Sequence, residues 1–133
     1  MTADVAYLDA SAFLKLVVRE PESAALRRYL RRWPRRASAA LLRVEALVQA
    51  RKHGHQAETQ ARQLLRTVAL LSLDATLLEA ASDLAPPRPL RTLDAIHVAA
   101  ARSLGADLGA LVTYDERMAE AASDLGLSVA VPA

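Results

Sequence analysis

The chain contains no cysteine, so neither a disulfide framework nor thiolate metal ligation is open to it. It also lacks an N-terminal segment with the charged start and long apolar core of a signal peptide. No apolar run reaches the roughly 18 residues expected of a membrane span. A cytoplasmic location, with no membrane partner, is the default expectation. Lysine is scarce, Lys15 and Lys52 being the only two. Both fall in helical patterns, which disfavours a phosphoacceptor regulatory domain, whose design sets a lysine at a strand end to meet the phosphoryl charge. Internal repeats, low-complexity tracts and interdomain linkers are missing too. What is present, 133 residues of which 53% are apolar and 24% charged, suits one domain (1–133) with a real core and excludes a disordered chain.

Net charge is only +2, but it is unevenly spread. Arg19, Arg27, Arg28, Arg31, Arg32, Arg35 and Arg36 face only Glu20 and Glu22 in their stretch, so that arm is basic on a mildly acidic body. This is the asymmetry of a polyanion binder. Arg27, Arg28, Arg31 and Arg32 are the candidates for RNA contact, against the plainer reading of a solvated face. In the same stretch Leu26, Tyr29, Leu30 and Trp33 recur at helical spacing and should face the core, which disfavours base stacking by the two aromatics.

Taken in order, Val5 to Leu8 reads as a strand, Ser11 to Val18 as a short helix, and Pro21 as the first turn of a second helix that Pro34 ends. Ser38 is expected to cap a third helix running to His53, with Leu41, Val44 and Val48 as its buried stripe and Gly54 as its stop. A helix from Gln56 to about Thr67 precedes a strand over Val68 to Leu73. Asp74 caps a helix over Ala75 to Leu84, and the Pro86-Pro87-Arg88-Pro89 run is a loop. Thr92 is expected to cap a helix through Leu104 that is apolar nearly all round. Ala110 to Thr113 reads as a strand, Asp115 to Leu125 as a helix stopped by Gly126, and Ser128 to Val131 as a last strand. Strands alternating with helices predict a three-layer α/β/α sandwich around a mostly parallel sheet.

Four acids sit in apolar company, where carboxylates are rare unless paired or bound to metal. Asp9 ends the first strand in Tyr-Leu-Asp-Ala-Ser-Ala-Phe-Leu-Lys-Leu, and Asp115 ends another in Leu-Val-Thr-Tyr-Asp-Glu-Arg-Met. Glu45 lies within Leu-Leu-Arg-Val-Glu-Ala-Leu, and Asp94 within Leu-Arg-Thr-Leu-Asp-Ala-Ile-His-Val-Ala. Two strand ends on one edge of a parallel sheet, with two helical acids able to reach that edge, place four negative charges in one cleft. Either some are protonated or a cation neutralises them. Oxygen-only donors favour Mg²⁺ or Mn²⁺, and with the basic arm the pattern points to metal-assisted phosphodiester hydrolysis. The plainer readings are local: Asp94 and Asp115 as helix-start charges, Ser11 as an N-cap. His97, one turn after Asp94, reads as a packed side chain and stays outside the metal set, and His53 and His55 as solvent-facing.

Those four segments, in this order and over essentially the whole chain, resemble a PIN domain. In a chain of this size they are most similar to the VapC-type toxins of bacterial and archaeal toxin–antitoxin pairs. The resemblance implies a Mg²⁺- or Mn²⁺-dependent endoribonuclease acting on tRNA, rRNA or mRNA and restrained by a cognate antitoxin, and it implies a homodimer. Asp9, Glu45, Asp94 and Asp115 match the family's acidic quartet, with three aspartates holding one or two ions and Glu45 binding metal or orienting water. Ser11 and Thr113 match its supporting hydroxyl positions. Met118 departs from the pattern, standing where the family often has Phe or Leu, which concerns packing alone. The alternative is a non-catalytic PIN-like module that binds RNA or a partner.

Overall fold

A computed structural model describes residues 3–133. The elements in chain order are β1 (Val5–Leu8), α1 (Ala10–Leu14), α2 (Ser23–Leu30), β2 (Arg35–Ala39), α3 (Leu42–Arg51), α4 (His55–Leu65) and β3 (Ala69–Leu71). They continue with α5 (Ala75–Ser82), α6 (Thr92–Ser103), a 3₁₀ turn (Gly105–Asp107), β4 (Leu108–Val112), α7 (Glu116–Asp124) and β5 (Val129–Ala130). The strands form one sheet in the order β3-β2-β1-β4-β5, and every pairing is parallel.

Helices cover both faces, as parallel sheets require. All four residues of β1 are buried, and their alternation assigns them to opposite layers. Val5 and Tyr7 pack with Ala37, Ala39 and Leu111 under α5, α6 and α7. Ala6 and Leu8 pack with Val112 under Leu26 and Leu30 of α2, while α3 and α4 close a third cluster with Phe13 and Val17. The expected α/β/α sandwich is therefore the observed one. After β1 the chain moves to one side for β2 and β3, then returns to the other side for β4 and β5. The reversal falls between β1 and β4, the position where open α/β sheets leave a crevice at the carboxyl ends of their strands.

Two expectations need correction. The stretch around Ser38 is not a helix start but strand β2, with Ser38 fully buried inside it. Arg35-Arg36-Ala37-Ser38-Ala39 has no β-branched or aromatic residue, so nothing local favours a strand. Pairing to β1 and β3 on both sides imposes it, an override common for strands. The helix that follows starts at Leu42, and its buried face is Leu42, Ala46, Leu47 and Ala50. Of the expected stripe only Leu41 is buried, and Val44 and Val48 are 64% and 44% exposed. Two apolar stripes overlap on this helix, and the one that meets α1 and α4 is the one that packs.

Smaller differences concern helix ends. Pro21 lies in the turn before α2 rather than inside it. Thr92 is the first residue of α6, whose N-cap is Arg91 without a side-chain cap bond. Asp74 does cap α5, accepting from the Leu77 amide at 2.9 Å. Gly126 takes φ +88° just past α7, a left-handed stop that glycine makes without strain. Tyr29 and Trp33 lie half-buried against the cluster of Leu26 and Leu30. Tyr29 does so from α2 as its spacing predicts, but α2 ends at Leu30, earlier than expected, and Trp33 reaches the cluster from the turn beyond it. Gly109 in β4 makes room for the indole, since a Cβ there would overlap the Trp33 ring.

Candidate active site

One residue separates β1 from α1, and it is Asp9. Its backbone is extended, and its carboxylate caps the helix by accepting from the Ala12 amide at 2.9 Å. The side chain is only 2% exposed, so its charge has to be met by protein donors. Ser11 Oγ donates to both carboxylate oxygens, at 2.7 and 2.9 Å, and Thr113 Oγ1 donates to Oδ2 at 2.5 Å. Each hydroxyl also accepts a backbone N–H from the segment after β4: Tyr114 to Ser11 at 2.9 Å and Asp115 to Thr113 at 3.0 Å. The two hydroxyls thus stitch the end of β4 onto Asp9. Burial pushes the Asp9 carboxyl above its ordinary range, while the Thr113, Ala12 and Ser11 bonds pull the other way. Asp9 itself is the helix cap, so the reading of Ser11 as a mere N-cap does not hold.

Asp115 caps α7 and accepts from the amides of Arg117 (2.9 Å) and Met118 (3.2 Å) through Oδ1. Asp94 stands half-buried in the first turn of α6. Its carboxyl is raised, first by burial and then by the negative charge of Asp115, with a further push from Asp9 and relief from Arg91. These three acids share one electrostatic environment at the β1/β4 crevice.

Glu45 arrives from α3 and lies one-fifth exposed, with Oε1 2.8 Å from His97 Nε2. His97, on α6, is 1% exposed and meets the Tyr7 hydroxyl through Nδ1 at 2.7 Å. Burial holds the Tyr7 phenol far above its usual range, so it keeps its proton. Sequence reasoning allowed His97 one satisfied nitrogen, and the fold satisfies both. Tyr7 gave no signal, because an aromatic in a buried strand looks like core. Lys15, just past α1, was another unforeseen neighbour: it pairs with Glu22 (2.9 Å) and Glu20 (3.3 Å) and lies 4.7 Å from the Tyr114 ring centroid.

Arg27 and Arg28 on α2, and Arg31 and Arg32 just past its end, are exposed; the chain then leads to Trp33, whose ring lies beside Gly109. Arg27 reaches the Leu16 carbonyl just past α1, and Arg28 and Arg32 line a surface hollow with Pro132 and Ala133, which follow β5. Arg32 stacks over Tyr29 at 5.5 Å, and Arg36 caps the end of α2 through the Leu30 and Trp33 carbonyls.

Among the described residues no three His, Asp or Glu side chains are grouped so that they could together hold an ion. An open arrangement still suits Mg²⁺ or Mn²⁺, which keep several waters and take only one or two carboxylates directly. The donor chemistry fits as well: oxygen atoms alone, with Asp94 held against two other negative charges that a cation would offset.

The PIN domain family matches residues 6–124. This chain belongs to that family. It is 51% identical over 126 residues to ribonuclease VapC46 of Mycobacterium tuberculosis, covering 95% of this chain and 96% of that protein. It is 36% identical over 131 residues to ribonuclease VapC47 of the same species, again covering 95% and 96%. Among solved structures, M. tuberculosis VapC20, described as a sarcin-ricin loop cleaving toxin, matches with a TM-score of 0.76 at 19% identity, over 96% of this chain and 99% of that one. A chain from a Klebsiella pneumoniae toxin–antitoxin complex matches with a TM-score of 0.75 at 22% identity, over 96% and 98%. At those identities the structural likeness is one of fold.

Proposed function

We propose that this PIN domain, taken as one unit over residues 1–133, is a Mg²⁺- or Mn²⁺-dependent endoribonuclease that acts as the toxin of a toxin–antitoxin pair. The observation that carries the reading is the shared electrostatic environment of Asp9, Asp94 and Asp115 at the β1/β4 crevice, where Asp94 is raised first by burial and then by the charge of Asp115, with a smaller push from Asp9. Asp9, Asp94 and Asp115 would hold the cation, with Glu45 joining them or orienting the attacking water. When bound, the ion activates water and offsets charge developing on the phosphoryl oxygens. Ser11 and Thr113 hold the Asp9 carboxyl fixed through their hydrogen bonds, which oppose the upward push of burial, so it need not reorganise during attack. Glu45 has one oxygen engaged by His97, which leaves Oε2 for water. Arg27, Arg28, Arg31 and Arg32 supply salt-dependent affinity for the RNA backbone.

A cognate antitoxin and a homodimer complete the proposal. Support for the first comes from the strong similarity to VapC ribonucleases and from the fold shared with a chain of a toxin–antitoxin complex. Val44, Val48 and Leu93 also expose an apolar rim beside Glu45 that a protein partner can cover. Among the described residues no helix is long and apolar enough to cross a membrane, and we place the protein in the cytoplasm.

The test is cleavage of a mixed tRNA and ribosomal RNA pool by the purified chain in Mg²⁺, Mn²⁺ or chelator, with Asp94→Asn as the folded control. Discrete fragments that require both metal and Asp94 are expected. RNA binding without cleavage, equal in both proteins, would replace the enzyme with a non-catalytic binding module.

A further inference from the structure

The buried path behind Glu45 begins at the centre of the sheet. Tyr7 is fully buried in β1, His97 is 1% exposed in α6, and their rings meet edge-on with centroids 5.8 Å apart. Two short hydrogen bonds, 2.7 and 2.8 Å, join the Tyr7 hydroxyl to His97 Nδ1 and His97 Nε2 to Glu45 Oε1. Their polarity follows from the end group. An ionised carboxylate only accepts, so Nε2 carries the hydrogen, and in the neutral ring Nδ1 is then the lone pair that the Tyr7 O–H fills.

Glu45 needs such an anchor. Among the described residues, the one hydrogen bond its carboxylate makes is to His97, and its helix neighbours Val44 and Val48 are exposed on the rim beside it. Without that bond the carboxylate end would be free to turn about its last torsions. The ring of His97, clamped on both sides, holds one oxygen still and leaves the other directed by what remains of the carboxylate plane.

We propose that His97, backed by Tyr7, is a positioning residue that fixes the Glu45 carboxylate for its part in RNA cleavage. This rests on the nuclease reading of the cleft, but the strut can be read without it. Groups that orient a carboxylate or ligand from behind typically change affinity or activity by about 10–100-fold when removed.

The experiment uses the full chain and the variants His97→Leu, His97→Gln, Tyr7→Phe and Glu45→Gln. In the metal-free protein, the imidazole nitrogen signals of His97 are followed by ¹⁵N NMR. Glu45→Gln should move Nε2, and Tyr7→Phe should move Nδ1. Single-turnover cleavage of the RNA pool in Mn²⁺ gives the second readout. His97→Leu, which keeps an apolar side chain in the core, should lower the maximal rate about 10–100-fold with the half-saturating protein concentration unchanged. His97→Gln, which restores an N–H towards Glu45, should recover much of the loss. The strut is overturned if Glu45→Gln leaves both His97 nitrogens unmoved, or if a folded His97→Leu cleaves at the wild-type rate. Wild-type chain that shows the nitrogen shifts but no cleavage would overturn the positioning role through the nuclease reading while leaving the contact itself established.

Discussion

Replacing Thr113 with valine tests how the cleft keeps a buried carboxylate. The two side chains have nearly the same shape, and Thr113 is fully buried, so the change removes a hydroxyl and little else. That hydroxyl donates to Asp9 at 2.5 Å and accepts from the Asp115 amide at 3.0 Å. A hydrogen bond to a charged group contributes about 1.5–3 kcal/mol, and a buried donor left without its acceptor costs about 1–3 kcal/mol. With partial relaxation, the expected loss is about 2–4 kcal/mol, a large share of the roughly 5–15 kcal/mol that holds a domain together. The loss should also depend on pH. Burial already raises the Asp9 carboxyl, and removing a donor raises it further. A group whose folded pKa exceeds its unfolded value binds more protons when folded, so its contribution to stability falls as pH rises through the folded value. The penalty of Thr113→Val is therefore greatest near neutral pH and shrinks as pH drops through that value. Urea unfolding in chelator, at about pH 7 and about pH 4, measures both. A loss under about 0.5 kcal/mol, or one equal at the two pH values, would refute this account of Asp9.

Asp94→Asn should raise the stability of the metal-free protein by up to about 1 kcal/mol, because it relieves repulsion with Asp115 and Asp9, while abolishing cleavage; a lower melting temperature would contradict the shared environment. Wild type should gain stability relative to Asp94→Asn as pH falls towards the ordinary aspartate range, since the raised Asp94 takes up a proton on folding. Replacing Arg27, Arg28, Arg31 and Arg32 with glutamine should weaken RNA binding and reduce its log–log salt slope by roughly 0.7 for each phosphate no longer neutralised, as read by anisotropy across a salt series, without lowering the rate at saturation. In α3, Leu47→Ala should cost about 2–5 kcal/mol, whereas Val44→Ala should stay within about 0.5 kcal/mol; denaturant midpoints decide, and the reverse order would restore the stripe that the spacing suggested.

The parts of the molecule that the letters disclosed are those where local and tertiary demands agree. Val-Ala-Tyr-Leu before Asp9 is strongly apolar and has to be buried on both faces, which places the aspartate at a strand end whatever surrounds it. Asp74 and Gly126 act through their own neighbours, so their roles are visible one turn away. Strand β2 is the opposite case. Arg35 to Ala39 is a strand because β1 and β3 offer it hydrogen bonds on both edges, and no property of those five residues announces that. On α3, two apolar stripes were equally regular, and only the positions of α1 and α4 choose between them. His97 shows a third limit. Its spacing from Asp94 drew attention, but its real partners, Tyr7 and Glu45, lie 90 and 52 residues away.

The same geometry divides the labour among the acids. Asp9 is the most buried of the four, and protein donors already meet its charge, so a cation gains little there from relieving repulsion and much from finding an immobile ligand. Asp94 is more open, and after burial the negative charge of Asp115 is what raises it most, with Arg91 giving partial relief. Folding leaves that repulsion only partly offset, which makes Asp94 the place where an arriving cation recovers the most free energy. Glu45 belongs to neither group, being tied through His97 to the core rather than to the other carboxylates. A cleft built this way loses rigidity when a donor to Asp9 is removed and loses affinity for the ion when Asp94 is neutralised. Thr113→Val and Asp94→Asn should therefore both impair cleavage while shifting stability in opposite directions, a pairing that a cleft of four equivalent acids would not produce.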